Sequence, residues 1–444
     1  MKALPGRSLA ILLVVLLSFS SLTIFNVKAQ PRTITVPDDY PKIQEAINNA
    51  NDEDIIFVRE GTYQEKTLNI TKPLSIIGEN TTQTTIILDP PLINKTIMHY
   101  TYEAPSTAIE INSNNVEISN FTIDMPSELI ATGDKIQLAN NNFTFGSLIL
   151  SGRLISILEN SINGYLTING SNNTIQKNFI QGDLNSQDNY NIIAQNTVNL
   201  DIKLKSSSFN LISGNSVDII YFEHCHSNLV CNNTFRSLWL GFQGNPCYNN
   251  TICKNKAIGQ YHWGILIGDG SNNIIHDNLI SNYTDGYGIA TGGNHLTAEH
   301  NLFYRNILIN NDVHVGANWE INGEGNSWDN GKEGNYWDNY SGEDLNGDGI
   351  GDIPYEVEGC KWEDGLVPFT YGQDNYPLID PFDIDNIIVD YPKWVYSLLN
   401  IELPNPTPTP IPEVEFPTTQ VLVIIITILA GFGILAYSMK KRKP

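Results

Sequence analysis

The sequence predicts an all-β protein wound as a right-handed parallel β-helix, with an N-terminal capping helix and one C-terminal transmembrane helix. Three observations predict it: a column of asparagines recurring every 18 to 23 residues, two apolar columns at fixed offsets from it, and an apolar stretch ending on a basic cluster. Repeats of this length mark solenoids, in which each coil buries its apolar face only against its neighbours.

The segments NNTIQKNFI (172–180), NIIAQNTV (191–198), NLISGNSV (210–217), NLVCNNTF (228–235), NTICKNKA (250–257) and NIIHDNLI (273–280) superpose without gaps. They align Asn141, Asn160, Asn178, Asn196, Asn215, Asn233, Asn255, Asn278 and Asn301 in one column. Three residues earlier stand Leu138, Ile157, Ile175, Ile193, Ile212, Val230, Ile252, Ile275 and Ala298; two residues later stand Phe143, Ile162, Ile180, Val198, Val217, Phe235, Ala257, Ile280 and Phe303. Parallel strands stack ~4.8 Å apart, so like residues overlie one another and asparagine amides can bond along the bend. A first coil, SNNVEISNFTI (113–123), places Asn120 in the same column with its alternation shifted by one residue.

An open solenoid end exposes apolar core and strand edges, so a cap is required. VPDDYPKIQEAINNAND (36–52) supplies a helical stripe of Ile43, Ala46, Ile47 and Ala50, with Asp38 or Asp39 as its expected cap residue. Strands at 55–58 and 74–78 are expected to follow.

At the termini, Lys2 and Arg7 precede an apolar run over 9–25, and Val27-Lys28-Ala29 closes it, the pattern of a secretory signal cut after Ala29. Residues 421–439 are apolar and Lys440, Lys441, Arg442 and Lys443 follow. About 20 residues at 1.5 Å each cross a hydrocarbon core of ~30 Å, and the basic tail stays cytoplasmic. The body is therefore expected outside the cell, lifted by the proline-rich spacer at 404–412. The expected division is signal peptide 1–29, β-helix 30–330, C-terminal cap 331–385, membrane-proximal segment and spacer 386–418, transmembrane helix 419–439 and cytoplasmic tail 440–444.

A net charge of −23, with only 16% charged residues, excludes a nucleic-acid partner, which needs stripes of Lys and Arg. It suits divalent cations. The motif Asp344-x-Asn346-x-Asp348-Gly349-x-x-Asp352 places oxygens at alternate positions around a glycine, as in the first nine positions of an EF-hand-type loop, with the Ile350 carbonyl as a further ligand. Tyr355 stands where that loop carries a bidentate glutamate. A structural Ca2+ in the cap is the expected cofactor.

The run TITVPDDYPKIQEAINNANDEDIIFVREGTYQEKTLNITKPLSIIGEN resembles the opening of pectin-lyase-like β-helix proteins of the NosD-like type, and GNYWDNYSGEDLNGDGIGDIPYEVEG with DNYPLIDPF resembles the end of the same archaeal and bacterial surface proteins. Together with the coils the resemblance covers about residues 33–382. It implies a right-handed β-helix and no single activity.

Stacking brings Cys231 over Cys253 and Cys225 over Cys247, within disulfide reach, so both pairs are expected to be bonded, with Cys360 left over. A metal site from His224, Cys225, His226 and Cys231 is the competing reading. Continuing the columns places His276, Asp277, Glu299 and His300 on one outward stripe, as a candidate catalytic set, with His262, Trp263, Asp269, Asp285, His295 and Arg305 in neighbouring loops as candidate substrate contacts. Outward positions are polar in any soluble strand, so a solvated face accounts for the same residues. Three functions follow: a membrane-anchored surface protein that binds or processes a glycan, a non-catalytic envelope or adhesion scaffold, and copper handling as the NosD name suggests. Four methionines weigh against the last.

Overall fold

Alternating apolar residues within strands of two to nine residues wind the chain into a parallel β-helix with three walls. The structure is a computed structural model and describes residues 30–241, 244–292, 298–317, 325–362 and 366–399. The expected signal peptide, membrane span and basic tail lie outside the described residues. Contacts divide the chain into a unit ending at Asp390 and a second beginning at Tyr391, whose described element is the helix Lys393–Leu399.

Wall one is a 13-stranded parallel sheet running from Thr33–Val36 to Leu302–Tyr304. Walls two and three join where Thr197–Lys205, Ser216–Glu223 and Thr234–Leu240 run round their shared corner. Wall two includes Ser161–Ile162, Leu279–Ser281 and Tyr336–Trp337; wall three includes Leu166–Asn169, Tyr261–Ile267, Asp285–Thr291 and Val313–Ala317. The expected apolar columns are the core: Ile157, Ile175 and Ile193 stack in register, as do Ile162, Ile180 and Val198, all buried.

The expected amide ladder exists, and there are two. One runs up the corner between walls one and two, from Asn141 to Asn335; the other runs up the corner between walls three and one, from Asn173 to Asn326. In the first, the Asn178 backbone N–H and its Nδ2 both donate to Asn196 Oδ1, at 2.9 and 3.0 Å, while Asn196 Nδ2 donates to the Ile175 carbonyl at 2.9 Å. Each amide thus serves the coils on both sides, which makes a buried polar column tolerable. The residue before each ladder asparagine except Asn335 is left-handed, as at Glu159 (φ 55), Lys177 (φ 56) and Asn172 (φ 61). Such a conformation costs a non-glycine residue roughly 1 kcal/mol, and the ladder bonds at every bend offset it.

Two register expectations are corrected. The residue over Asn141 is Phe121, whose N–H donates to Asn141 Oδ1 at 3.1 Å, whereas Asn120 takes the left-handed position (φ 64) equivalent to Asn140. The successor of Asn278 is Asn306, and Asn301 belongs to the second ladder, above Asn273. That coil is five residues longer than the one before it, so Ile275 stacks on Phe303 and Ile280 on Leu308.

The N-terminal cap forms as the helix Ile43–Asn49, with Ile43, Ala46, Ile47 and Ala50 buried on the first coil. Neither expected aspartate caps it. Asp39 accepts from Thr35 N–H at 2.7 Å and Asp38 pairs with Arg59 at 2.8 Å. The Ile43 N–H instead finds the buried Glu65 carboxylate at 2.7 Å, and Lys72 Nζ donates to the carbonyls of Ile47, Asn48 and Ala50 at the other end. Both partners come from the neighbouring coil, so helix and solenoid close each other.

At the far end Phe303, Trp328, Trp337 and Tyr355 stack into an aromatic plug, with centroids 4.6, 6.0 and 4.6 Å apart in turn. The first ladder ends there on Asp374. This fully buried carboxylate accepts from Asn335 N–H (2.7 Å) and Trp337 Nε1 (2.9 Å) through Oδ2, and from Tyr376 N–H (3.1 Å) through Oδ1. Gly334 is required beside it, since a Cβ there would lie 1.7 Å from Asp374 Oδ1.

Two outcomes are expected. Asn196→Ala takes the acceptor from the buried Asn178 backbone N–H and the Nδ2 donor from the Ile175 carbonyl, and should destabilise the protein by roughly 3 kcal/mol; an unchanged melting temperature would contradict the ladder's role. Burial, which outweighs the surrounding donors, pushes the Asp374 carboxyl up to about 6. Stability from this group is full below the unfolded value of about 3.9 and falls by about 3 kcal/mol as pH rises through 6, because the folded state must then carry a buried charge. Melting temperatures of Asp374→Asn and the parent should therefore diverge between mildly acidic and neutral buffer, the variant being flatter.

Candidate functional site

The five-residue lengthening of one coil separates the candidate catalytic residues. Tyr304 and Arg305, rather than Glu299 and His300, lie above His276 and Asp277. His276 and Asp277 stand at the corner of walls one and two. His276 Nδ1 meets Asp277 Oδ2 at 2.7 Å and its ring stacks on Tyr304 at 5.0 Å. Arg305 Nε donates to Asp277 Oδ1 at 2.8 Å and its Nη1 to Glu333 at 2.7 Å. Burial drives the Asp277 carboxyl up, but the hydrogen bonds from His276 and Arg305 prevail and hold it below the usual carboxylate range. Both its oxygens are occupied.

The chain's own strap crosses this corner. The Phe382 ring lies 4.7 Å from the Arg305 guanidinium, Lys254 Nζ donates to the carbonyls of Asp385 and Ile387, and Lys256 pairs with the Asp385 carboxylate at 2.8 Å. Ile384 is buried beneath it. Glu299 and His300 stand on the other laddered corner, 4.0 Å apart, with the His300 side chain 67% exposed. His262 and Trp263 are in Tyr261–Ile267 and Asp285 begins the next strand, all on wall three; the Asp269 carbonyl accepts from Cys247 N–H at a bend. His295 lies outside the described residues.

The cysteines stack as expected but are not bonded. Cys231 and Cys253 are in register on wall one, and Cys225 N–H donates to Cys247 Sγ at 3.4 Å, yet no disulfide joins any of the five cysteines. Parallel stacking points paired side chains the same way, whereas a disulfide needs them turned toward each other. Three of the thiols have another acceptor: Cys225 Sγ reaches the Glu223 carbonyl at 3.2 Å, Cys247 Sγ the Phe222 carbonyl at 3.5 Å and Cys231 Sγ the Ser213 hydroxyl at 3.4 Å. Burial raises the Cys225 and Cys253 thiols above their ordinary range, which disfavours the thiolate form that reacts. The competing metal cluster does not assemble either: His226 packs edge-on to Phe209 at 6.2 Å, and among the described residues no three His, Cys, Asp or Glu side chains group as metal ligands.

What the structure does bring together is on the outer face of wall three. Ile220, Phe222, Leu238 and Leu240 face the core, so the residues between them, Tyr221 and Trp239, face outward in register. Tyr221 and Trp239 meet edge to face at 5.9 Å and Trp239 meets Trp263 at 5.7 Å. Trp239 Nε1 is anchored on Ser237 Oγ at 2.6 Å, which in turn bonds the Trp263 carbonyl. The file continues in register from Trp263 to Tyr287 to Val313. There it opens into a cleft of about 850 Å³ whose lining includes Asp312, His314, Asp338, Glu358, Cys360 and Phe369.

One side of this cleft is a hairpin, Tyr355–Trp362 and Leu366–Asp374, which pairs antiparallel after a solenoid of parallel strands. His314 is buried, with Nε2 on Asp338 Oδ1 at 2.8 Å and Nδ1 3.3 Å from Asn311 Nδ2. Burial lowers its pKa against the pull of Asp338, favouring the neutral ring. Asp338 also accepts from Asn310 N–H at 2.5 Å, so it braces the histidine, while Asp312 and Glu358 are exposed at the rim. Sequence reading missed this site. The one available signal was His314 in the strand text DVHVGA, at the end of the histidine-rich stretch.

In the cap, the Asp344 carboxylate accepts from Gly347, Asp348 and Gly349 N–H, Asn346 Oδ1 from Asp348 N–H, and Asp352 Oδ2 from Leu345 N–H. The Gly349 N–H and its neighbours hold the Asp344 carboxyl below its ordinary range. Tyr355, at the twelfth position, belongs to the plug, its hydroxyl on Asn339 Oδ1 at 2.9 Å.

Residues 201–342 match the family model described as Periplasmic copper-binding protein (NosD). No curated protein sequence matches the chain. Among solved structures, the mannuronan C-5 epimerase A-module of Azotobacter vinelandii is 11% identical, covering 65% of this chain and 95% of its own, with a TM-score of 0.47. The family 28 exopolygalacturonase of Yersinia enterocolitica is 10% identical, covering 68% and 78%, with a TM-score of 0.41. A mannuronic-acid-specific family 6 polysaccharide lyase from human gut microbiota is 13% identical, covering 64% and 83%, with a TM-score of 0.36. The chain is a right-handed parallel β-helix protein, and its coils over residues 201–342 match the NosD family model.

Proposed function

We propose that this protein is a membrane-anchored, extracellular carbohydrate-binding protein whose ligand lies along the outer face of wall three. The observation that carries this reading is the file of half-buried aromatics rising to a polar cleft: Tyr221 and Trp239 are in register, Trp263 and Tyr287 are in register, and Trp239 meets Trp263 edge to face between the two pairs. Aromatic rings fixed by a scaffold present flat apolar faces at little entropic cost, and a few polar groups at one end supply orientation. A sugar chain, with apolar C–H faces and polar edges, is complementary to both. Rigid coils keep the spacing constant, which suits a repeating polymer. The N-terminal signal and C-terminal span read from the sequence support display outside the cell; among the described residues no helix is long and apolar enough to cross a membrane.

Glycan-array and calorimetric titration of the full chain test this. Trp239→Ala should weaken binding of any captured oligosaccharide about tenfold, roughly 1.4 kcal/mol, with little change in melting temperature. If no oligosaccharide is captured, the adhesion-scaffold reading takes its place. Copper handling finds no ligand group among the described residues.

We infer a structural calcium ion in the cap from the loop's sequence motif; its aspartates bond the loop's own N–H groups and do not converge as a ligand group, so binding would have to turn them. Asp344, Asn346, Asp348 and Asp352 side chains with the Ile350 carbonyl are the residues that would hold it, lacking the bidentate glutamate of tighter sites. The same loop clamps the following segment, Gly351 N–H donating to the Pro377 carbonyl and Ile379 N–H to the Gly349 carbonyl. An ion there would therefore fix the cap. Chelation should lower the melting temperature and calcium restore it; indifference to both would remove the ion from the account.

A further inference from the structure

We infer that the cleft at the top of wall three selects a cationic amino sugar and turns away uronic acids, an inference that rests on the carbohydrate reading of the same face. The charges on this wall are distributed unevenly. Lower down, acids are matched by bases: Lys203 pairs with Asp183 at 2.7 Å and Asp201 at 3.3 Å, and Arg236 pairs with both oxygens of Asp218 at 2.6 and 2.9 Å. At the cleft the match ends. Asp312, Asp338 and Glu358 line it, and among its described lining residues none is Lys or Arg. Among the described residues no ion pair reaches Asp312 or Glu358.

The remaining polar groups reinforce the asymmetry. His314, the one basic side chain among the described lining residues, is buried with its Nε2 turned to Asp338 and its Nδ1 to Asn311, so it offers an arriving anion no free donor. Asn311 already donates to the Ile280 carbonyl and accepts from Tyr283 N–H, and Asn339 Oδ1 accepts from the Tyr355 hydroxyl. An ammonium group entering the cleft meets carboxylates from Asp312, in the bend before the strand Val313–Ala317, and from Glu358 on the hairpin, with Phe369 and Pro368 as an apolar side wall. A sugar carboxylate meets the same negative groups and no cation. Opposite charges a few ångströms apart in a concave site lie well inside the ~10 Å screening length of moderate salt, so the preference survives in solution.

The test is calorimetric titration of the full chain, in buffer without added divalent cations, with three hexasaccharides: β-1,4-linked glucosamine, the same chain fully N-acetylated, and galacturonate. Glucosamine should bind at least about tenfold more tightly than its acetylated counterpart, with galacturonate weakest. Raised salt should shrink the gap, and the Asp312→Asn and Glu358→Gln double variant should bring the two amino-sugar affinities within about threefold. Both positions are exposed, and the single Glu358→Gln variant should move the ratio in the same direction. Galacturonate binding as tightly as glucosamine, or a preference that outlasts both substitutions, overturns the inference and leaves the carbohydrate reading standing. Absence of binding to all three removes both.

Discussion

A chain that turns two sharp corners in every coil leaves amide groups pointing into the wall, where water cannot reach them. Here the asparagine side chains of the next coil take those groups, each Oδ1 accepting the backbone N–H of its neighbour, in most cases with that neighbour's Nδ2 as well, and each Nδ2 reaching a carbonyl. The walls are flat and in register because the corners are, and the left-handed residues before the asparagines are affordable only in that setting. At Asn335 the next asparagine is replaced by the Asp374 carboxylate, so the ladder that organises the coils also seats the hairpin carrying one side of the cleft.

Much of this was legible in the residues. The columns from Asn141 to Asn278 describe the corner as it stands, and the apolar offsets name the core, because like residues must overlie like residues in a stacked coil. Legibility failed where spacing changed. A coil of 28 residues between Asn278 and Asn306 offers Asn301 as a false match after 23, and the error carried Glu299 and His300 to the wrong corner. Phe121 was missed for the opposite reason: the backbone needs an acceptor from the coil above, and supplies only an N–H itself.

The cysteines and the cleft show a different boundary. Vertical neighbourhood could be read from text, and Cys231 does lie beside Cys253, but the direction in which a side chain leaves the strand is set by the pleat. The cleft depends on a hairpin outside the repeat, so no column pointed to it. The aromatic file lay halfway between: Tyr221 and Trp239 are aligned by the ladder period, yet their meeting with Trp263 depends on the shape of a lengthened turn.

The strap at 379–390 has a mechanical consequence. It doubles back along the corner, held by Phe382 on Arg305 and by Asp385 and Ile387 on Lys254 and Lys256, below the coil that ends the solenoid. Tension applied to the chain beyond it meets these side-chain clasps first, and they yield one after another as in peeling. The stacked corners are loaded only after the clasps are gone, and then in shear across many bonds at once. Extension is thus taken up by a short sacrificial length while the walls, and whatever rests on them, keep their shape.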